Sequence, residues 1–202
     1  MANVITPHTS LNVLVDSPRG PVAININDKL LDQRCIFLTE QVDSASMTEL
    51  IKQVKYLDSR DDSGEEITLY INSPGGGVVS GLALYDALVS AKSPIKTVCI
   101  GDAASMGAIL FLAGEKREML PHTRLMIHDP SFGSMDVGGK KPHELRQEVE
   151  SLERTKNTLA EIIAEKTGKS LEEITKITAN DTYFTAEEAI EFGLATDICK
   201  GV

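Results

Sequence analysis

A serine set among small residues, Gly101-Asp-Ala-Ala-Ser105-Met-Gly107, follows a short apolar stretch and precedes an Ala-containing segment of helical character. At such a strand-to-helix junction a hydroxyl is exposed, and the first free N–H groups of the helix aim at the same spot. That is a nucleophile's position. It is equally where a serine caps a helix, so local sequence leaves both readings open. The Gly-x-Ser-x-Gly elbow is not matched, because Ala103 stands in the first glycine's place. Upstream, Ser73-Pro-Gly-Gly-Gly77 supplies main chain without side-chain bulk, so a substrate carbonyl could approach a peptide N–H closely, as an oxyanion hole requires. A plain glycine turn is the competing reading. A dinucleotide cradle fails on spacing, since Ser80 occupies the third glycine's place, and the Gly133–Lys141 stretch is out of register for a phosphate loop and is not followed by a Ser or Thr to hold magnesium.

A base for such a serine has four candidates. His8 lies in a polar N-terminal stretch, His122 in a polar turn and His143 at a helix start, which leaves His128 at the end of the apolar strand Arg124–His128. A structural histidine bonded at a strand terminus competes with the catalytic reading. Asp129 is its neighbour, but alternate residues of a strand face opposite ways, so Asp129 is badly placed to orient that imidazole. Asp181 follows a helical segment and precedes strand-like Thr182-Tyr-Phe184 and the capping pattern Thr185-Ala-Glu-Glu188. Taken alone it reads as a turn aspartate.

Positioning these groups requires alternating elements. Three times a short apolar strand runs through a turn or loop into a helix: Ile67–Asn72 to a helix ending by Ala91, Thr97–Ile100 to one ending near Ala113, and Arg124–His128 to a long helix from Pro142 to about Lys166. An earlier strand at Arg34–Leu38 and a helix at Ser44–Leu57 complete an α/β pattern whose strands are buried on both faces. The long helix carries Leu145, Val149, Leu152, Leu159, Ile162 and Ile163 on one stripe, which suits either core packing or contact with a neighbouring subunit. Residues 1–16 are polar and without clear period, and are expected to form an arm.

With 202 residues, 42% hydrophobic, the chain can bury the core of one domain. A formal net charge of −10 argues against nucleic acid and anionic membranes as partners, because both demand clustered Lys and Arg. The apolar runs fall short of the ~20 residues that cross a bilayer, and a soluble, cytoplasmic protein is expected. Cys35, Cys99 and Cys199 lack CxxC or Cys/His spacing and read as reduced thiols, with no metal or cofactor expected.

Taken together, Leu69-Tyr-Ile-Asn-Ser-Pro-Gly-Gly76, Gly101-x-Ala-Ala-Ser-Met-Gly107, Arg124-Leu-Met-Ile-His128 and Asp181-x-x-x-Thr-Ala-Glu-Glu-Ala-x-x-x-Gly193-Leu resemble, in order and over about Ser17–Asp197, the proteolytic subunit of Clp protease (ClpP). The resemblance implies that Ser105 is the nucleophile, His128 the general base and Asp181 the acid, with the N–H groups of Gly76 and Met106 as the oxyanion hole. It further implies a single crotonase-like domain of β-β-α units with a protruding helical handle at about 131–166. Such subunits hydrolyse peptide bonds of unfolded polypeptides inside stacked seven-membered rings, fed by an AAA+ unfoldase of ClpX, ClpA or ClpC type. Two docking-pocket aromatics of the family correspond to Thr68 and Glu118, the Ser131–Lys141 loop lacks the family's Gly/Gln-rich string, and Ala179-Asn180 replaces an acidic-basic pair. Altered docking, and a homo-oligomer or a ring mixed with a paralogue, are therefore both expected possibilities. A crotonase-type acyl-CoA enzyme and a weakly active structural subunit of a mixed ring are the alternatives.

Overall fold

The structure, a computed structural model, describes residues 11–60, 64–133 and 138–201. Strands β1 (Asn12–Val15) and β2 (Val22–Asn25) form an antiparallel hairpin, and Asn25 then caps α1 (Ile26–Asp32). β3 (Cys35–Leu38) leads to α2 (Ser44–Ser59), which starts where the Asp43 carboxylate accepts the N–H groups of Ala45 and Ser46, each at 2.8 Å. There follow β4 (Ile67–Ser73), α3 (Val78–Val89), β5 (Ile95–Ala104), α4 (Met106–Phe111), β6 (Lys116–Met119) and β7 (Arg124–Ile127). The chain closes with α5 (Pro142–Thr167), α6 (Leu171–Thr178), β8 (Thr182–Phe184), α7 (Ala186–Phe192) and β9 (Asp197–Ile198).

The result is a mixed α/β fold around a mostly parallel sheet. Along the order β3-β4-β5-β6-β9 every pairing is parallel, and β8 joins β7 antiparallel. β5 forks. Its first part, Lys96–Cys99, pairs with β6, while Asp102–Ala104 pairs with β7. Parallel strands covered by helices must present apolar side chains, and Ile67, Leu69 and Ile71 of β4 are fully buried against Met47, Leu50 and Val54 of α2 and Leu84 and Leu88 of α3 in one core. At ~1.5–3 kcal/mol for each fully buried aliphatic side chain, this layer supplies much of the force that closes the sheet.

Several expectations change against this fold. Residues 101–104, read as a turn, are the second half of β5, because Asp102, Ala103 and Ala104 find new partners in Arg124, Leu125 and Met126. The expected N-terminal arm lies partly outside the described residues, and within them Asn12–Val15 is paired strand. The stripe on α5 divides: Leu159 and Ile163 are buried, whereas Val149 is 47% exposed and Leu145 and Leu152 only half-buried. Core packing therefore explains only the C-terminal half of that helix. β6 had no apolar signature. Its Glu118 is instead paired with Lys96 at 2.9 Å and its Lys116 with Glu66 at 2.9 Å. Cys99 and Cys199 are buried and Cys35 half-buried, all three as free thiols.

Candidate active site

Ser105 sits between the end of β5 and α4, with φ 53° and ψ −121°, a backbone conformation that non-glycine residues rarely hold. It occupies the N-cap position, yet its side chain makes no capping hydrogen bond. The hydroxyl is instead 2.8 Å from His128 Nε2. The capping reading of this serine is thus displaced by a side-chain pairing that only the tertiary fold supplies.

Two strand registers create that pairing. Ala104 stands beside Met126 across the β5/β7 ladder, and the Ser105 N–H donates to the Met126 carbonyl at 2.9 Å, so the residues that follow leave side by side. On the other side of β7, Ile127 is opposite Thr182 in an antiparallel pair, and one further residue along the same register sets His128 across from Asp181. The His128 Nδ1 to Asp181 Oδ1 distance is 3.1 Å. The carboxylate accepts from Nδ1–H, which assigns the lone pair of the neutral ring to Nε2 and leaves it free to accept the Ser105 proton. The Asp181 side chain is 60% exposed and that of His128 26%. On the exposed side, Arg124 donates twice to Asp102 at 2.9 Å and its guanidinium lies 5.6 Å from the Tyr183 ring centre, which ties β5, β7 and β8 together beside the site.

The glycine loop packs directly on the serine. A β-carbon on Gly75 would fall 2.6 Å from the Ala104 carbonyl oxygen and 2.8 Å from both Met106 N and Ser105 Cβ, and φ at Gly75 is 86°. Gly76 has φ 147°, and a β-carbon there would stand 2.3 Å from the Val42 carbonyl oxygen. Val42 brackets this peptide, donating to Gly75 O at 2.8 Å and accepting from Gly77 N at 2.7 Å. The N–H groups of Gly76 and Met106 have no acceptor among the described residues. Val78, Met106, Ile109, Ile127, Leu159 and Ile163 line a small cavity that opens on Ser105 and His128. Among the described residues no three His, Cys, Asp or Glu side chains gather as a metal site, and no helix is long and apolar enough to cross a membrane.

Ser105, His128 and Asp181 therefore meet in one line, with Met106 next to the serine and the Gly75–Gly76 peptide packed on it through Gly75. His122 and His143 are not among the residues lining the cavity at Ser105, and His8 lies outside the described residues. Sequence reasoning set Asp129 aside, and in the fold its carboxylate bonds Lys156 and Thr178 instead of the imidazole. Lys156 was missed, since a lysine on a charged helix face carries no signal of its own.

A mostly parallel α/β sheet that delivers a hydroxyl, an imidazole and a carboxylate in line at a strand-to-helix junction has the layout of a serine hydrolase. A family model described as Clp protease matches residues 18–201, and the chain belongs to that family, whose members are serine peptidases.

Proposed function

We propose that the chain is a serine endopeptidase subunit in which Ser105 is the nucleophile, His128 the general base and Asp181 the residue that orients the base. The observation that carries this reading is the unbroken line from Ser105 Oγ to His128 Nε2 at 2.8 Å and from His128 Nδ1 to Asp181 Oδ1 at 3.1 Å. As Oγ attacks a peptide carbonyl carbon, its proton passes to Nε2; the resulting imidazolium is stabilised by the Asp181 carboxylate and returns the proton to the departing amine. A water molecule then repeats the sequence on the acyl-enzyme and frees the serine. The oxyanion formed in each half-reaction is received by the N–H groups of Gly76 and Met106, and one such donor is worth about 2.7–4 kcal/mol of transition-state stabilisation.

The same reading takes the domain as a crotonase-like spiral of β-β-α units, with the half-exposed N-terminal part of α5 as the handle through which subunits meet. The substrates are unfolded polypeptides, cut in a cytoplasmic ring-shaped chamber supplied by an AAA+ unfoldase. No nucleotide is used by this chain itself. Docking of that unfoldase is altered, because the Lys96–Glu118 pair lies on the sheet where the family carries an aromatic.

Labelling with a fluorophosphonate followed by peptide mapping tests the assignment. Modification at Ser105 that is lost in Ser105→Ala supports it. An unmodified Ser105 favours an acyl-CoA enzyme of the same fold, and an assembled complex whose peptidase activity survives Ser105→Ala would mark this chain as a structural subunit of a mixed ring.

A further inference from the structure

Asp129 follows His128 directly, and its carboxylate joins two other elements. Oδ2 accepts from Lys156 Nζ of α5 at 2.5 Å, and Oδ1 accepts from the hydroxyl of Thr178, the last residue of α6, at 2.6 Å. The main chain adds a third bond, from Asp129 N–H to the Thr178 carbonyl at 2.6 Å. Thr178 is 3% exposed, and the Lys156 and Asp129 side chains are 31% and 26% exposed, so the cluster is well shielded for an ion pair. Both chain segments that leave it run straight to the catalytic groups. One step before Asp129 is His128. Three steps after Thr178 is Asp181, with Thr182 Oγ1 holding the intervening turn to the Ile177 carbonyl at 2.8 Å.

We propose that Lys156 is a positioning residue for the peptidase reaction, an inference that rests on the reading of Ser105, His128 and Asp181 given above. Its ammonium neutralises and orients the Asp129 carboxylate. Asp129 in turn fixes the His128-bearing segment against the end of α6, at the separation that leaves Nδ1 and Oδ1 3.1 Å apart. Lys156 touches neither substrate nor reacting atom. Removing its charge leaves a half-buried carboxylate with the Thr178 hydroxyl bond alone, and such a carboxylate turns toward water and draws its segment with it. A displacement of about 1 Å at a reacting group is enough for a rate loss of ~10²-fold.

The experiment uses the full chain in its native assembly, with Lys156→Met, Lys156→Arg, Asp129→Asn and, as a control that removes a charge from an exposed position of the same helix, Arg154→Met. Fluorophosphonate labelling rate at Ser105, kcat and KM on a short fluorogenic peptide, native mass and urea midpoint are measured. For Lys156→Met the labelling rate and kcat are expected to fall ~10²-fold with KM within about 2-fold. Lys156→Arg recovers most of the loss, Arg154→Met shows none, and the Asp129→Asn/Lys156→Met double variant is no slower than Lys156→Met alone. A wild-type labelling rate in Lys156→Met overturns the role. So does a loss that Lys156→Arg does not recover, or one matched by a fall in native mass or urea midpoint. A wild-type protein unlabelled at Ser105 sinks the peptidase reading itself, which separates the two failures.

Discussion

Gly75 lies against Ser105 so closely that a single added carbon on the glycine would stand 2.8 Å from the serine Cβ. Glycine loop and serine turn are thus one packed unit, and Gly75 also holds a φ of 86° that side chains disfavour. Gly75→Ala is expected to cost about 1–3 kcal/mol in stability and to abolish fluorophosphonate labelling. Urea unfolding and labelling of the same preparation check both effects.

Ser105 itself is strained and caps nothing. Ser105→Ala should therefore abolish hydrolysis while changing stability by less than about 1 kcal/mol, the usual cost of losing a cap. Ser105→Gly should go further and be more stable than Ser105→Ala by about 1 kcal/mol, since glycine holds φ 53° without a β-carbon penalty. Equal urea midpoints for the two variants would count against stored strain at this turn.

Asp181 meets the imidazole through Nδ1, so Asp181→Asn presents either an amide donor or a weaker acceptor to that nitrogen and favours the wrong tautomer. A fall in kcat of about 10⁴-fold is expected, as for the corresponding change in a serine protease triad, with folding unaffected because the side chain is 60% exposed. Steady-state kinetics on a fluorogenic peptide, with thermal unfolding as control, reads this out.

These four changes, at three positions, touch a site that was legible in the sequence to unequal degrees. Ser105 and the glycine loop announced themselves, because small residues at a strand end are a local property. His128 was legible as a strand-end imidazole. Asp181 was legible only through the family resemblance, because its place depends on β7 and β8 lying in one register, and no local pattern records a pairing between segments so far apart. The fold divides the same way. α2 and α5 showed their helical period, and β3 and β4 their short apolar runs. β6 was hidden by Lys116, Arg117 and Glu118, whose charges are met by tertiary partners.

Arg117 is the strongest of those cases. Its guanidinium donates to the carbonyls of Leu194 at 2.7 Å and Gly114 and Gly193 at 3.2 Å, which joins β6, the end of α4 and the end of α7. Burial lowers its pKa, so the charge is held against a desolvation cost. Arg117→Met should destabilise by about 2–4 kcal/mol, because several shielded carbonyls lose their donor at once. The shift in urea midpoint measures it.

Asp58 links the end of α2 to the turn before β5 by accepting the N–H groups of Lys92 at 2.8 Å and Ser93 at 2.9 Å. Partial burial pushes its pKa up, but the bonds from Ser93 and Lys92 outweigh this and hold it below the usual carboxylate value. A depressed folded-state pKa contributes stability that is present above the unfolded value of about 3.9 and is lost as pH falls through the folded one. Asp58→Asn is expected to flatten that part of the stability profile below about pH 4 and to leave its slope near neutrality unchanged, by urea titration across pH.

β7 is only four residues long, yet it has a parallel neighbour on one edge and an antiparallel neighbour on the other. It acts as the common ruler from which the distances to both partners of the imidazole are measured. Losing a single residue between Arg124 and Ile127 would send that ring through to the opposite face of the sheet, away from hydroxyl and carboxylate together. Such a deletion could leave the hydrophobic layers intact and still silence the chemistry completely, so the length of this strand carries as much information as the identity of the residue at its end.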